Sequence, residues 1–318
     1  MVDFLTEFDP QYGTVVAVAA GLKRLVCKNP GPFTFTGTGT YTLVGDDGAI
    51  VVDPGPMDHE HLDAVAVMAG TSPILAVLLT HRHADHAGGA RALADRVKAP
   101  IYAAAWPEPT SSLLGEHLAG DAEPDADGTA GLMEAADEAI VALGPDRLVV
   151  NDDRIEIGSN TLEAIATPGH IADHTCFVWR EGKALFSGDH VMGWSTSVVP
   201  PPFGNLAQYL ASLRRLDEFG DFTFYPTHGP PIPNAGGYVR QLHEHRMMRT
   251  AQILDRLNDG PATIPDLVRR MYIGLDEQLI PAACMSVWAH LEMLVADGLA
   301  AVSDGASPTI LSRYELIR

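Results

Sequence analysis

Residues 73–80 read PILAVLLT, an apolar run closed by Thr80. A strand with one wet face alternates apolar and polar side chains, so an unbroken run of this length predicts a strand covered on both faces. Such a strand needs a layer above it and a layer below. That requirement directs the chain toward a layered α/β arrangement.

The flanking segments supply candidate layers. TVVAVAAGLKRLVC (14–27), TYTLV (40–44) and AIVVD (49–53) predict short strands, with GDDG at 45–48 as a hairpin turn. Periodicity over 58–69 and 89–99 predicts helices, and PIYAAA (100–105) another strand. A second series predicts strands at 147–150, 155–158, 161–166, 174–180 and 183–187, a helix near 206–217 and a strand at 222–226. Strands, helices, strands, helices in that order predict two sheets sandwiched between helical layers. The Pro-, Gly- and acid-rich stretch 106–146 between the series reads as a surface insertion or as a lid over a site.

The last part of the chain changes character. YVRQLHEHRMMRTAQILDRLNDG predicts one long helix stopped by Gly260-Pro261, and TIPDLVRRMY a second with Thr263 as N-cap. PAACMSVWAHLEMLVADG predicts a third with Pro281 in its first turn, and a small hairpin follows Gly298. Three helices and a hairpin outline a winged-helix unit. The predicted division is a main domain over 1–240 and a winged-helix-like domain over 241–318.

Charge and cysteine content narrow the function. A net charge of −20 at pH 7 opposes general binding to phosphate backbones or anionic membranes. Residues 241–318 hold seven Lys and Arg against ten Asp and Glu, a poor footprint for nucleic-acid docking. The C-terminal unit therefore reads as a packing module, or as a dimerisation module that would make the protein a homodimer. Cys27, Cys176 and Cys284 lie far apart and give no disulfide framework, which suits a reducing compartment. MVDFLTEFDPQYG has no basic head and no apolar core, and the chain has no membrane-length apolar run. A cytoplasmic protein without a membrane span is the expectation.

The buried strand ends in THRHADHAGG (80–89). His81 and His83, two residues apart, can face one ion; Asp85 and His86 can face a second beside it. Further candidates follow later predicted strands: His170 in TPGH, Asp189 in FSGDH and His228 in YPTHGP. Each sits in a Gly/Pro turn at a strand end, where ligands collect in α/β folds.

The order H-x-H-x-D-H, then His, Asp and His at later strand ends, resembles the metallo-β-lactamase superfamily over roughly residues 14–240. The resemblance implies an αββα sandwich as the catalytic domain. It implies His81, His83 and His170 on a first metal, Asp85, His86 and His228 on a second, and Asp189 bridging both. Asp53 in IVVDPG also matches the pattern and is expected to orient a ligand from behind. Imidazole and carboxylate donors suit two divalent ions, zinc foremost, with manganese or iron also accepted. A metal-bridging hydroxide would then replace a serine or cysteine nucleophile. Asp85 and His174 are the expected catalytic side chains, with His174 placed to position substrate or relay a proton, or else packed within a strand.

Aspartate at 189, the phrases NPGPFTFTGTGTYTLVG, GHIADHTCF and YPTHGPPI, and the C-terminal unit look most like the lactamase-beta-2-like hydrolases. That likeness implies hydrolysis of a small ester, thioester or lactone, with RNA phosphodiester cleavage as the alternative and β-lactam opening as a side activity. The expected partner is a small-molecule substrate. Asp173 reads as a turn residue and His190 as structural, while 194–205 reads as a substrate-facing loop. His59, His61 and His117 read as surface residues; His243 and His245 read as lying on a solvated or interdomain face.

Overall fold

The strand around Ile74 is enclosed on both sides, as its composition requires. In the computed structural model, which describes residues 2–106 and 144–317, β5 (Ile74–Leu78) lies between β4 (Ala49–Val52) and β6 (Ile101–Ala103), parallel to both. β1 (Val16–Ala19), β2 (Leu22–Val26) and β3 (Gly39–Val44) extend this sheet antiparallel on one side, and β7 (Arg147–Leu148) forms the other edge. The apolar stretch 14–27 is two strands because the chain reverses at Gly21, whose φ of 75° suits a residue without Cβ. The second sheet runs β12-β11-β10-β9-β8, built from β8 (Arg154–Ile157), β9 (Asn160–Ala166), β10 (Thr175–Trp179), β11 (Ala184–Gly188) and β12 (Thr223–Pro226). Most of the stretch 106–146, namely 107–143, lies outside the described residues.

Strand alternation sorts the apolar side chains into cores. Ile50, Val52, Ala76 and Leu78 meet Leu162, Ala164, Phe177 and Phe186 between the sheets. Their neighbours Val51, Val77 and Leu79 turn outward to α1 (His59–Met68) and α3 (Ala90–Val97), through Leu62, Val65 and Leu93. Beyond the second sheet, Ile165, Val178, Leu185 and Phe224 pack on α4 (Leu206–Leu216) and α5 (Gly236–Asn258). Each fully buried aliphatic side chain contributes about 1.5–3 kcal/mol. Helix, sheet, sheet and helix give the αββα sandwich.

α5 continues past residue 240. Its Tyr238, Val239 and Leu242 belong to the sandwich core, whereas Ile253 and Leu257 join Leu267, Val287, Trp288, Leu291 and Tyr314 in a separate core. α6 (Ile264–Met271) starts at Thr263, which accepts from the Asp266 amide while the Asp266 carboxylate takes the Thr263 N–H. α7 (Ile280–Ala296) follows, and β13 (Ala262–Thr263), β14 (Ala300–Val302) and β15 (Arg313–Leu316) form a small sheet in the order β13-β15-β14. This is a winged-helix unit. Among the described residues no helix is long and apolar enough to cross a membrane.

One histidine departs from its surface reading. His59 is exposed and His117 lies outside the described residues, but His61 is only 7 % exposed, with Nε2 2.9 Å from Thr40 Oγ1. His61, Val65 and Met68 form one buried stripe at helical spacing, so the ring faces the first sheet. Burial pushes its pKa down from 6.5 to about 4, against the opposing pull of Asp58. The unfolded chain therefore takes up a proton here before the folded one does. Stability contributed by neutral His61 should be complete above pH 6.5 and decline as pH falls toward about 4. Urea titrations across this range should show the decline, and His61→Gln should make it shallower.

Candidate metal centre

The strand ends bring seven side chains together. After β5, the chain passes through Thr80 into the His81–His83 turn and the short helix α2 (Ala84–Ala87), which carries Asp85 and His86. His170 follows β9, Asp189 follows β11 and His228 follows β12. His83 Nδ1 lies 2.9 Å from His81 Nε2 and 3.0 Å from His170 Nε2. On the other side, Asp85 Oδ2 is 3.1 Å from His228 Nε2 and 3.8 Å from His86 Nε2. Asp189 stands between: Oδ1 is 3.4 Å from His86 Nε2 and 3.5 Å from His228 Nε2, while Oδ2 is 3.8 Å from His170 Nε2.

These groups are able to bind metal ions. The trios His81/His83/His170, His81/His86/Asp189 and Asp85/His86/His228 each keep their ligand atoms within 4.8 Å of one another. His86 Nε2, His228 Nε2 and Asp189 Oδ1 are buried and make no aligned hydrogen bond among the described residues, the 3.1 Å approach of His228 Nε2 to Asp85 Oδ2 being a charge contact without that alignment. A buried polar atom left unpaired costs about 1–3 kcal/mol. Three such atoms converging on one point fit a cation. Burial holds His81 well below its ordinary pKa and His83 down to about 3, which keeps both rings in the neutral, lone-pair-donating form.

The hydrogen bonds behind the rings fix which nitrogen faces the centre. Asp53, with no exposed surface, accepts the Thr80 N–H on Oδ1 at 2.8 Å. Its Oδ2 accepts the Thr80 hydroxyl (2.7 Å), the Thr227 hydroxyl (2.7 Å) and His86 Nδ1–H (2.8 Å). His170 Nδ1 donates to Val198 O at 2.5 Å, and His228 Nδ1 donates to Gly37 O at 3.2 Å. His81 Nδ1 sits 3.1 Å from Thr80 Oγ1, whose own hydrogen goes to Asp53. In all four rings Nδ1 is occupied, so Nε2 is the nitrogen turned to the site.

Several placements differ from, or go beyond, the sequence reading. Asp173 is more than a turn residue: it is buried, accepts the Arg82 backbone amide at 3.0 Å and pairs with Arg82 Nη1 at 2.7 Å. The pair ties the peptide between His81 and His83 to the loop that carries His170. His174 lies behind the site at 1 % exposure. Its Nε2 accepts the Asp189 amide at 3.2 Å and its Nδ1 is 2.8 Å from Thr167 Oγ1, so both ring nitrogens have protein partners. Gly188 needs to be glycine, because a Cβ there would meet His174 Nε2 at 2.6 Å and Thr80 Cβ at 2.8 Å. His190 is buried against the Tyr209 ring, and His243 accepts from Arg214 Nε at 3.1 Å on a half-buried face. Thr80, Thr227, Arg82 and the Val198 carbonyl are contributors that sequence reasoning missed. Two of them left a signal, since Thr80 and Thr227 each directly precede a candidate ligand histidine.

Comparison with known proteins agrees with this architecture. Residues 35–228 match the family described as the Metallo-beta-lactamase superfamily, and residues 263–307 match the Beta-lactamase associated winged helix domain. A Beta-lactamase-like protein 2 homolog of Caenorhabditis elegans is 32 % identical over 305 residues, covering 93 % of this chain and 90 % of that protein. An Atrochrysone carboxyl ACP thioesterase of Aspergillus terreus is 27 % identical, over 87 % of this chain and 80 % of its own length. A beta-lactamase domain protein from Burkholderia ambifaria has the same fold, with a TM-score of 0.75, 24 % identity and coverage of 99 % and 97 % of the two chains.

Two substitutions test the supports. Asp53→Ala removes the acceptor of four hydrogen bonds and should weaken metal binding by about 10–100-fold in chelator competition. Asp173→Ala leaves Arg82 buried without its partner and should lower stability by about 3–5 kcal/mol in urea unfolding.

Proposed function

The chain belongs to the metallo-β-lactamase superfamily, and on that premise we propose that it is a dinuclear metal-dependent hydrolase of a small ester, thioester or lactone. His81, His83 and His170 would hold one ion, Asp85, His86 and His228 the other, and Asp189 would offer one carboxylate oxygen to each. The observation that carries this reading is the convergence of the orphaned His86, His228 and Asp189 atoms beside the His81/His83/His170 trio. The donor set suits zinc first, and manganese or iron also fit it. Two such cations, when bound, acidify water and polarise a carbonyl oxygen toward attack.

The chain's own residues then have separable tasks. Asp85 and His83 are half-buried whereas His81, His86 and His228 are enclosed, so substrate approaches over the His83–Asp85 edge. Asp85, with 30 % of its side chain exposed, lies where its carboxylate can take up the proton released on attack. His174 acts on Asp189 through the backbone amide, and we assign it to positioning that carboxylate instead of touching substrate. The enclosed threonines and Asp53 keep the rings aimed without facing the substrate themselves.

Two observations favour a carbonyl substrate. The Aspergillus terreus relative bears the name of a thioesterase, and the winged-helix α7 contains no Lys or Arg in PAACMSVWAHLEMLVA. That helix, in a chain of net charge −20, gives RNA no basic surface to dock on. The free, unpaired cysteines agree with a cytoplasmic enzyme.

A panel of thioesters, lactones, phosphodiesters and β-lactams on zinc-loaded protein tests the reading. Thioesters or lactones should be turned over, the activity should vanish with chelation, and it should return with metal. Asp85→Ala should lower kcat by at least about 100-fold with an unchanged circular dichroism spectrum. Turnover confined to RNA, or full activity in metal-stripped protein, would contradict the assignment.

A further inference from the structure

α5 carries a cation in a costly place. Arg246 is 4 % exposed, and among the described residues no carboxylate pairs with it. Its neighbours instead tie two regions together. Nη2 donates to Ser197 O, Nη1 donates to Ser286 Oγ on α7 at 3.3 Å, and the guanidinium lies over the Tyr209 ring, 5.4 Å from its centroid. One turn further along α5, Thr250 Oγ1 meets His290 Nδ1 of α7 at 2.9 Å, which fastens the two helices at the same level.

The loop that Arg246 holds leads directly to the metal centre. Ser197 is followed by Val198, whose carbonyl oxygen is 2.5 Å from His170 Nδ1. This contact keeps the proton on Nδ1 and turns Nε2 toward His83 Nδ1, 3.0 Å away. Pro200, Pro201 and Pro202 lack amide hydrogens, so this segment cannot brace itself as a helix would. The Gly204 amide closes a turn on Pro200 O at 2.7 Å, and ahead of that turn Arg246 donates to Ser197 O from outside the segment.

We propose that Arg246 is a positioning residue: by fixing the Ser197–Val198 peptide it holds His170 in its ligating orientation, which makes the winged-helix unit a support of the first metal subsite. The inference rests on the two-ion reading above and adds to it a dependence of one subsite, not both, on the C-terminal unit. A residue that only packed the interface would leave the His170 ring and the order of metal loss unaltered.

The test uses full-length protein loaded with cobalt(II), in unaltered form and as Arg246→Met and Arg246→Lys. In unaltered protein the His170 Nδ1–H should give a paramagnetically shifted, solvent-exchangeable proton signal. In Arg246→Met that signal should broaden or vanish, and chelator competition should show the first subsite weakened about tenfold with the Asp85/His86/His228 subsite unchanged. Arg246→Lys keeps a charged donor for Ser197 O and should recover part of both effects; it also serves if the methionine variant does not fold. Unchanged signal and affinity in the variants, or equal weakening of both subsites together with a lower Tm, would overturn the inference while leaving the two-ion reading intact. Absence of a histidine-ligated cobalt signal in the unaltered protein would overturn that reading and this inference with it.

Discussion

A single buried carboxylate joins the parts that must not drift apart. Asp53 follows β4 and gathers Thr80 from the end of β5, His86 from α2 and Thr227 from the end of β12. A carboxylate enclosed this completely is tolerable only when its lone pairs are filled. Here the donors come from both sheets, so satisfying Asp53 also sets the distance between the sheets at the rim of the sandwich. Tyr41, donating to Pro226 O at 2.7 Å, and the Gly39 amide on Thr227 O, also at 2.7 Å, stitch the same seam. Asp53 itself adopts φ of 48°, a left-handed conformation uncommon outside glycine, and the hydrogen bonds hold it there.

The sequence made the layers and the candidate ligands legible for physical reasons. Continuous apolar runs such as 73–80 have no amphipathic reading, and a histidine or aspartate in a Gly/Pro turn straight after such a run stands out from ordinary loop residues. Groups whose meaning depends on closure were not legible. Thr80 and Thr227 are unremarkable until two strand ends meet over Asp53. The Val198 and Gly37 carbonyls belong to the backbone and have no signature in residue type. His61 looked like a surface residue because a single polar position interrupts an otherwise apolar stripe on α1. Asp173 and Arg82 are 91 positions apart, and only the folded loops put them together.

Rigidity and access are divided unevenly around the centre. The side formed by His86, His228 and Asp53 is enclosed and hydrogen-bonded from behind, while the His83–Asp85 side is half open. Pre-organisation of the enclosed side lowers the rearrangement needed when a cation or a developing negative charge arrives. The open side leaves room for substrates of different shape. A fixed half and an open half on one scaffold suit a superfamily whose members bear different names, as the worm and fungal relatives of this chain do.

The long helix α5 has a consequence for how such chains can be recombined. Its first turns complete the sandwich and its last turns complete the winged unit, while the residues between Leu242 and Ile253 belong to neither apolar cluster. A crossover ahead of Leu242 or beyond Ile253 would divide one hydrophobic interior between two parents. A hybrid joined between those two residues would leave the α5 share of each interior with the rest of its own cluster, Ala289 of α7 excepted.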